Sequence, residues 1–272
     1  MSTNDQVASH YTAANMLQRI DAALVESGID PEHPTLEALA PYDNFHSRGP
    51  AATRDLSATA GFPAGARVLD VGGGLGGPAR TLANRSKVHV TVLDLTPSFV
   101  DTGRILTERL GMSDLVEFQV GDGTQMPYAD ASFDGVWTQH STMNIPDKAA
   151  LYAEIHRVLK PGGRLAMQEV MKGHADGIDY PLPWATSAEF SFLQTVDEMR
   201  SLIAASGFRE LVWNDESEVV LADTPGPGAP PSGQPAGPTA LWGSAFVERI
   251  QNVTRCLRDG KLVIVRALFE RV

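Results

Sequence analysis

The sequence predicts an α/β protein built on one doubly wound, mostly parallel sheet, and three observations support this prediction. From residue 66 onward, short apolar segments alternate with amphipathic segments of roughly 10–15 residues. A glycine-rich stretch, VLDVGGGLGGPAR (68–80), continues the first apolar segment. Acidic residues, Asp94 and Asp122, follow the next two. Strands that alternate with helices form parallel sheets with helices on both faces, and ligands bind beyond the carboxyl ends of the strands.

The strands of this sheet are predicted from their apolar character and length. In chain order they are ARVLDV (66–71), KVHVTVLDL (87–95), LVEFQV (115–120), FDGVWTQ (133–139), RLAMQEV (164–170), residues 208–213 and KLVIVRALFE (261–270), which makes seven. A KPGG turn (160–163) precedes the fifth strand. We expect the last two strands to form an antiparallel edge.

Helices are predicted between these strands and before the first of them. They cover 76–86, 97–111, 147–159, 196–206 and 240–258, with two more over 11–27 and 50–60. Leu17, Ile20 and Leu24 recur at helical spacing in the first helix. Pro78 suits the first turn of the helix after the glycines, where a missing N–H is harmless.

This order of elements predicts a domain organisation. Residues 1–60 are expected to form an N-terminal helical cap, and residues 61–272 the α/β domain. Within that domain, aromatic residues among turn formers over 171–195 predict a lid after the fifth strand. The Pro/Gly-rich stretch 224–239 predicts a loop.

Composition limits the partners. The 272 residues carry a formal net charge of −11 and no cluster of Lys and Arg, so we expect no nucleic-acid partner. No apolar run approaches the roughly 18 residues that a membrane helix needs, and the N-terminus lacks the pattern of a secretory signal. With Cys256 as the one cysteine, these features predict a cytoplasmic protein without a membrane partner.

The glycine-rich stretch fits two ligands. Its spacing Gly72-x-Gly74-x-x-Gly77 matches a loop that binds the pyrophosphate of a dinucleotide. Asp70, at the end of the strand, suits a diphosphate poorly and suits a positively charged amino group well, as in S-adenosylmethionine. Asp94 could accept hydrogen bonds from the ribose hydroxyls of either ligand. Asp122 could accept the adenine amino group, with Met126 covering the ring.

Four stretches carry a family resemblance. LDVGGGLGGPAR, LDL (93–95), GDGTQMPYADASFDGVW (121–137) and IHRVLKPGGRL (155–165) resemble the Rossmann-like class I S-adenosylmethionine-dependent methyltransferases, most strongly over 66–170. The resemblance implies S-adenosylmethionine as cofactor and a seven-stranded Rossmann-like sheet. It implies that the cofactor-binding residues are Asp70, Gly72, Gly73, Gly74, Gly76, Asp94, Leu95, Asp122, Gly123 and Gln139.

The acceptor site is expected just beyond the fourth strand. His140 is the candidate catalytic residue, because a base is needed when the acceptor must lose a proton; the alternative is a loop histidine that only contacts backbone. Four further residues are candidate substrate contacts: Tyr11, His46, Asn144 and Trp184. No metal-ligand spacing of Cys and His occurs, so no metal is expected.

Two subfamilies compete for the acceptor. GGPAR resembles sterol and isoprenoid C-methyltransferases, and WTQHSTMNIPDK resembles glycine, sarcosine and dimethylglycine N-methyltransferases. Enzymes that methylate small-molecule oxygens often have a histidine where this chain has Met143-Asn144, so N- or C-methylation is favoured and O-methylation stays possible. We expect a small organic acceptor from secondary metabolism and a monomer or homodimer. The alternatives are an NAD(P)-dependent oxidoreductase and a non-catalytic S-adenosylmethionine-binding protein.

Overall fold

A single mixed sheet organises the computed structural model, which describes residues 15–223 and 237–272. Its strands within those ranges are β1 (Arg67–Val71), β2 (His89–Asp94), β3 (Val116–Val120), β4 (Phe133–Gln139), β5 (Leu159–Lys172), β6 (Phe208–Asp215) and β7 (Leu262–Arg271). They lie in the order β3-β2-β1-β4-β5-β7-β6. The predicted doubly wound α/β sheet is therefore confirmed.

The antiparallel edge of the sheet is formed by the last two strands in the chain, as predicted. β7 runs antiparallel to both β5 and β6, while the pairs among β1 to β5 are parallel. The strand at the rim is β6, and β7 lies inside it. This order follows from burial, because most residues of β7 are buried whereas β6 is largely exposed and charged, as suits a rim strand.

Helices surround the sheet and precede it. They are α1 (Met16–Glu26), α2 (Leu36–Asp43), α3 (Gly49–Ala60), α4 (Gly77–Ser86), α5 (Pro97–Arg109), α6 (Lys148–Val158), α7 (Val196–Ala205), α8 (Ser217–Asp223), α9 (Gly237–Trp242) and α10 (Ala245–Arg258). Neighbouring strand residues face opposite cores: Val68 packs with α3 and α4, and Leu69 packs with α6 and α7. Helices therefore cover both faces of the sheet.

The KPGG stretch departs from the predicted turn. β5 already begins at Leu159, which pairs with Phe133, and Arg164 then pairs with Gly135. Four residues of β5 thus stand opposite one residue of β4, with Gly162 at φ 73°. The stretch is a large irregular bulge inside β5 rather than a turn before it.

A buried ion pair joins the N-terminal helices to the sheet domain. Arg80 Nη2 of α4 lies 2.7 Å from Asp43 Oδ2 at the end of α2, and both side chains are almost fully buried. The approach is so close that a Cβ on Gly77 would lie 2.3 Å from the Asp43 carbonyl oxygen. α1, α2 and α9 complete this contact with an apolar cluster that includes Leu75 and Phe99. The proposed division into a cap over 1–60 and a domain over 61–272 stays a prediction.

The first testable prediction concerns this ion pair. Asp43→Asn should lower the free energy of unfolding by about 3–5 kcal/mol, because it leaves the Arg80 guanidinium buried without a counter-charge. Urea unfolding followed by circular dichroism measures the change. The matched control is Asp101→Asn in the exposed Arg104–Asp101 pair, which should change stability by less than about 0.5 kcal/mol. Equal effects of the two substitutions would contradict the prediction.

Candidate active site

One large cavity, of about 690 Å³, opens at the carboxyl ends of the parallel strands. It lies where the strand order changes direction between β1 and β4, the position at which doubly wound sheets bind ligands. The loops after β1, β2, β3 and β4 contribute to its lining, and so do segments from the N-terminal helices and α10. Of the predicted site residues that the structure describes, all line this cavity except Gly76 and Met126.

The position of Gly76 outside the cavity lining follows from its packing. Gly76 caps the N-terminus of α4. A Cβ there would lie 2.6 Å from the Phe118 ring, so Gly76 packs against the core and not against the cavity. Tyr11 lies outside the described residues.

Neighbouring side chains leave no room for a Cβ at two positions of the glycine loop. A Cβ on Gly72 would lie 2.6 Å from Cβ of Ser141, in the turn after β4. A Cβ on Gly73 would lie 2.5 Å from Oδ2 of Asp70. The loop therefore passes between the Asp70 carboxyl group and the β4 turn, and a larger residue at either position would displace one of them.

Asp70 presents a buried carboxyl group to the cavity. The residue is 2% exposed, and its Oδ2 has no hydrogen-bond partner among residues 15–223 and 237–272. Burial, with the nearby charge of Asp94 adding to it, raises the pKa of Asp70 to about 8. Such a group lacks a cation or a donor, which a ligand can supply.

Asp94 joins the first two strand ends. Its Oδ2 accepts the Gly74 N–H at 2.9 Å, and its Oδ1 accepts the Thr96 N–H at 2.8 Å. Burial raises its pKa, and these two N–H groups oppose the rise. The carboxyl group is thus fixed beside the glycine loop with further lone pairs available, and Leu95 lines the cavity next to it.

Asp122 and Gly123 lie in the loop after β3. Asp122 Oδ1 accepts from both the N–H and the hydroxyl of Thr124, at 2.8 and 2.7 Å, so the loop is held by its own side chains. Met126 does not line the cavity as predicted. It is buried in the core under α6, and its N–H donates to Glu154, so it does not cover a ring bound beside Asp122.

Two histidines meet between the cap and the β4 turn. The ring centroids of His46 and His140 are 6.1 Å apart. Burial lowers the pKa of His46 to about 4 and, with the His46 ring adding to it, that of His140 to about 3. Both rings are therefore neutral at neutral pH. Nε2 of His140 makes no hydrogen bond within the part of the chain that the structure describes.

His46 is fixed by a small ring of hydrogen bonds. Its Nδ1 lies 3.2 Å from the Gln139 amide nitrogen, its Nε2 lies 3.2 Å from the Thr53 hydroxyl, and Thr53 donates to Gln139 Oε1. Nδ1 also lies 3.2 Å from the Ser47 carbonyl oxygen, so the imidazole is held at both of its nitrogens. The Gln139 side chain is thereby committed to the cap rather than to the cavity centre.

The sequence did not reveal several buried polar residues that extend this hydrogen-bond network. Gln139 donates to Gln168, Gln168 donates to Glu216, and Arg266 donates to the other oxygen of Glu216. Glu169, the next residue of β5, accepts the N–H groups of Ser141 and Thr142. A signal was present in the sequence, because Gln168 and Glu169 interrupt an otherwise apolar predicted strand.

The opposite side of the cavity is apolar. Trp184 is 4% exposed and donates its Nε1–H to Ser191 within segment 171–195. The segment packs on α10 and is tied to the β4 turn by Phe192 N–H donating to the Met143 carbonyl. Apolar side chains line this wall: Met143, Val170, Trp184, Val220, Phe246, Val253 and Leu257. Asn144 lies beside them.

Metal-binding clusters and membrane-spanning helices can be judged for the described residues. No cluster of three or more His, Cys, Asp or Glu side chains in them is arranged to hold a metal ion. None of their helices is long and apolar enough to span a membrane.

Comparison with known proteins supplies the class of protein. Residues 69–167 match the family described as "Methyltransferase domain". The chain is 30% identical over 217 residues to Methyltransferase GfsG of Streptomyces halstedii, covering 78% of this chain and 76% of that protein. It is 41% identical to Sterol 24-C-methyltransferase ERG6B of Gibberella zeae over 42% of this chain, but it spans only 30% of that protein.

Solved structures agree in fold. Geranyl diphosphate C-methyltransferase from Streptomyces coelicolor A3(2) superimposes with a TM-score of 0.71 over 100% of this chain and 99% of that chain, at 20% identity. Fold and cavity thus define a Rossmann-like protein with a ligand site at the carboxyl ends of its parallel strands. The chain belongs to the S-adenosylmethionine-dependent methyltransferases. This membership decides between the two interpretations of the glycine loop, and S-adenosylmethionine is the cofactor.

The second prediction follows from the environment of Asp70. The pKa of about 8 lies above the ordinary value of 3.8, so the folded protein holds this proton more tightly than the unfolded chain does. The group's stabilising contribution is therefore fully present below about pH 4 and is lost as the pH rises through about 8. Between about pH 5 and about pH 9, the ligand-free wild type should lose at least about 2 kcal/mol more free energy of unfolding than Asp70→Asn.

Urea unfolding of both proteins at the two pH values measures the difference. Asp101→Asn, on the exposed face of α5, is the control and should follow the wild type. If Asp70→Asn shows the same pH dependence as the wild type, the carboxyl group titrates normally and the prediction is wrong.

Proposed function

We propose that the protein transfers the methyl group of S-adenosylmethionine to a hydroxyl oxygen of a bulky, largely apolar small molecule, with His140 accepting the hydroxyl proton. The observation that carries this proposal is the buried, neutral imidazole of His140, whose Nε2 lacks a partner in the described structure. His140 lines the cavity together with the glycine loop and the apolar wall.

The cofactor fits the polar side of the cavity. The unpartnered Asp70 carboxyl group is the proposed partner of the cofactor's ammonium group, beside the backbone of Gly72, Gly73 and Gly74. Asp94 is the proposed partner of the ribose hydroxyls, since both its oxygens are already oriented by backbone N–H groups. Asp122 and Gly123 are proposed to contact the adenine. Gln139 is proposed to contribute backbone, because its side chain binds His46.

When bound, the cofactor supplies a methyl group activated by a positively charged sulfonium sulfur. Alignment of acceptor and methyl group then provides much of the rate. An attacking hydroxyl oxygen must lose its proton as its bond to carbon forms, and Nε2 of His140 takes that proton. The imidazole gains a positive charge as the sulfonium loses one, so the net charge of the buried site is unchanged. This balance offsets the burial that depresses the pKa of His140.

The proposal that oxygen is the methylated atom differs from the prediction from the sequence, which favoured nitrogen or carbon and left oxygen possible. A neutral amine needs no base, so a neutral histidine whose Nε2 makes no hydrogen bond in the described structure favours an acceptor that must lose a proton. A hydroxyl group can donate a hydrogen bond to Nε2 before reaction, which orients an oxygen lone pair. His46 is proposed to confine the same hydroxyl from the cap side.

The acceptor's apolar character is supported by the wall that Trp184, Val253 and Leu257 form with their neighbours. Relatives named for sterol and for geranyl diphosphate substrates are consistent with it. We propose that segment 171–195 acts as a lid over this acceptor. An acceptor from secondary metabolism, a cytoplasmic location and a monomeric or homodimeric state stay predictions.

The third prediction tests the cofactor site. Asp94→Ala should weaken binding of S-adenosylhomocysteine by about 10- to 100-fold, because it removes charged acceptors for the ribose and releases the Gly74 N–H. Isothermal titration calorimetry measures the dissociation constant, and circular dichroism checks that the fold is intact. Asp101→Asn is the control. Wild-type affinity in a folded Asp94→Ala protein would contradict the ribose assignment.

The fourth prediction tests the reaction. With S-adenosylmethionine and a panel of apolar alcohols, phenols, amines and carbon acids, the wild type should release S-adenosylhomocysteine and form an O-methyl ether from a hydroxylated member. Mass spectrometry and NMR identify the methylated atom. His140→Ala should lower kcat by about 10²- to 10⁴-fold, with affinity for S-adenosylhomocysteine changed less than about threefold.

The matched control is His89→Ala, because His89 lies at the amino end of β2, exposed and away from the cavity. Its turnover should equal that of the wild type. Methylation of an amine with full activity of His140→Ala would reject oxygen transfer. Cofactor binding without turnover on any acceptor class would instead favour a non-catalytic binding protein.

A further inference from the structure

Three consecutive N–H groups in the turn after β4 are held by two consecutive residues of β5. His140 N–H donates to the Gln168 carbonyl oxygen at 2.8 Å. Ser141 and Thr142 N–H groups donate to Oε2 of Glu169, at 3.2 and 3.1 Å. The turn that carries His140 is therefore anchored at each of its amide groups.

The backbone of this turn needs such anchoring. His140 has φ 51°, in the left-handed region that residues other than glycine rarely adopt. Ser141 follows in the right-handed region, with φ −118° and ψ −34°. A left-handed residue next to a right-handed one directs successive N–H groups toward one point and forms an anion-binding nest. Here the group that accepts these N–H groups is the carboxyl group of Glu169.

Glu169 occupies a position that would otherwise suit an apolar residue. It is fully buried, as are its neighbours in β5, Met167, Val170 and Met171. Burial raises the pKa of Glu169, and hydrogen bonds from the turn oppose the rise. Glu169 in turn acts electrostatically on Lys148, whose ammonium donates to the Ile145 and Phe192 carbonyls, and on Tyr152. The N–H groups of the turn compensate the cost of burying the Glu169 carboxyl group.

We propose that Glu169 is a positioning residue for His140. It does not line the cavity, and it acts by holding the 140–142 turn so that the His140 side chain keeps its place in the cavity lining. The same turn packs Ser141 against Gly72. The effect on turnover rests on the proposed function of His140, whereas the effect on the turn does not.

Hydrogen exchange tests the structural part without any substrate. In the wild type, the amide protons of Ser141 and Thr142 should exchange as slowly as those in the middle of β5. Glu169→Met removes both acceptor oxygens at similar volume, and it should accelerate these two amides by at least about 100-fold while β1 amides keep their rates. Glu169→Gln keeps one carbonyl oxygen, and its acceleration should stay below about tenfold.

Turnover tests the positioning role. With the acceptor found above, kcat should fall by at least about 30-fold in Glu169→Met and be largely restored in Glu169→Gln. The KM of the acceptor and the dissociation constant of S-adenosylhomocysteine should change less than about threefold. In the His140→Ala background, Glu169→Met should lower kcat no further, because both substitutions remove the same function.

The matched control is Asp134→Asn. Asp134 also accepts a backbone N–H, that of Arg67, but at the opposite end of the sheet, and its loss should leave kcat unchanged. Rapid exchange of Ser141 and Thr142 in the wild type would overturn the proposal, and this holds even if Glu169→Met does not fold. Additive losses of kcat in the double variant would also overturn it. Failure of all methyl transfer with slow exchange of these amides would refute the proposed function and leave the anchoring role supported.

Discussion

Two buried carboxyl groups at adjacent strand ends impose the constraint around which the site is built. Asp70 and Asp94 are 2% and 8% exposed, and burial raises the pKa of each. Asp94 is compensated by two backbone N–H groups, whereas Oδ2 of Asp70 has no partner in the described structure. A cavity of this kind favours a cation, and a cofactor with both an ammonium and a sulfonium group provides one. The glycine loop, the β4 turn and the segment between α2 and α3 line the cavity around this pair.

The glycines around Asp70 illustrate how one sequence pattern arises from separate contacts. Gly73 leaves room for the Asp70 carboxyl group, and Gly72 leaves room for Ser141. Gly77, which completes the apparent dinucleotide spacing, instead leaves room for the Asp43 carbonyl in the cap. The match to a dinucleotide loop is therefore a by-product of cap packing, and Asp70 was the informative residue. Each glycine makes room for a different neighbouring group, so the glycine spacing alone could not distinguish a dinucleotide from S-adenosylmethionine.

The sequence predicted the elements well because alternating strands and helices leave a local signal. It could not predict the order of β6 and β7, since strand neighbours are chosen by burial across the whole sheet. Placement in the cavity lining was predictable for a residue that ends or directly follows a strand, as Asp94 and His140 do. It was not predictable for Met126, Gln168 or Glu169, whose roles depend on which loop lies above them. An acidic residue inside an apolar strand is the one signal that could have revealed Glu169.

The low basicity of the two histidines agrees with the proposed chemistry. A histidine with an ordinary pKa beside a cationic cofactor would be protonated for part of the time at neutral pH, and it would then repel the cofactor and lack an acceptor atom. Burial keeps His46 and His140 neutral, so both can approach a positive charge. The proton from the acceptor arrives only as the sulfonium charge is lost, which removes the repulsion at the moment the imidazole becomes charged. Because the base we propose is weak, its orientation toward the acceptor matters more than its basicity, and in our proposal the anchoring of the 140–142 turn by Glu169 sets that orientation.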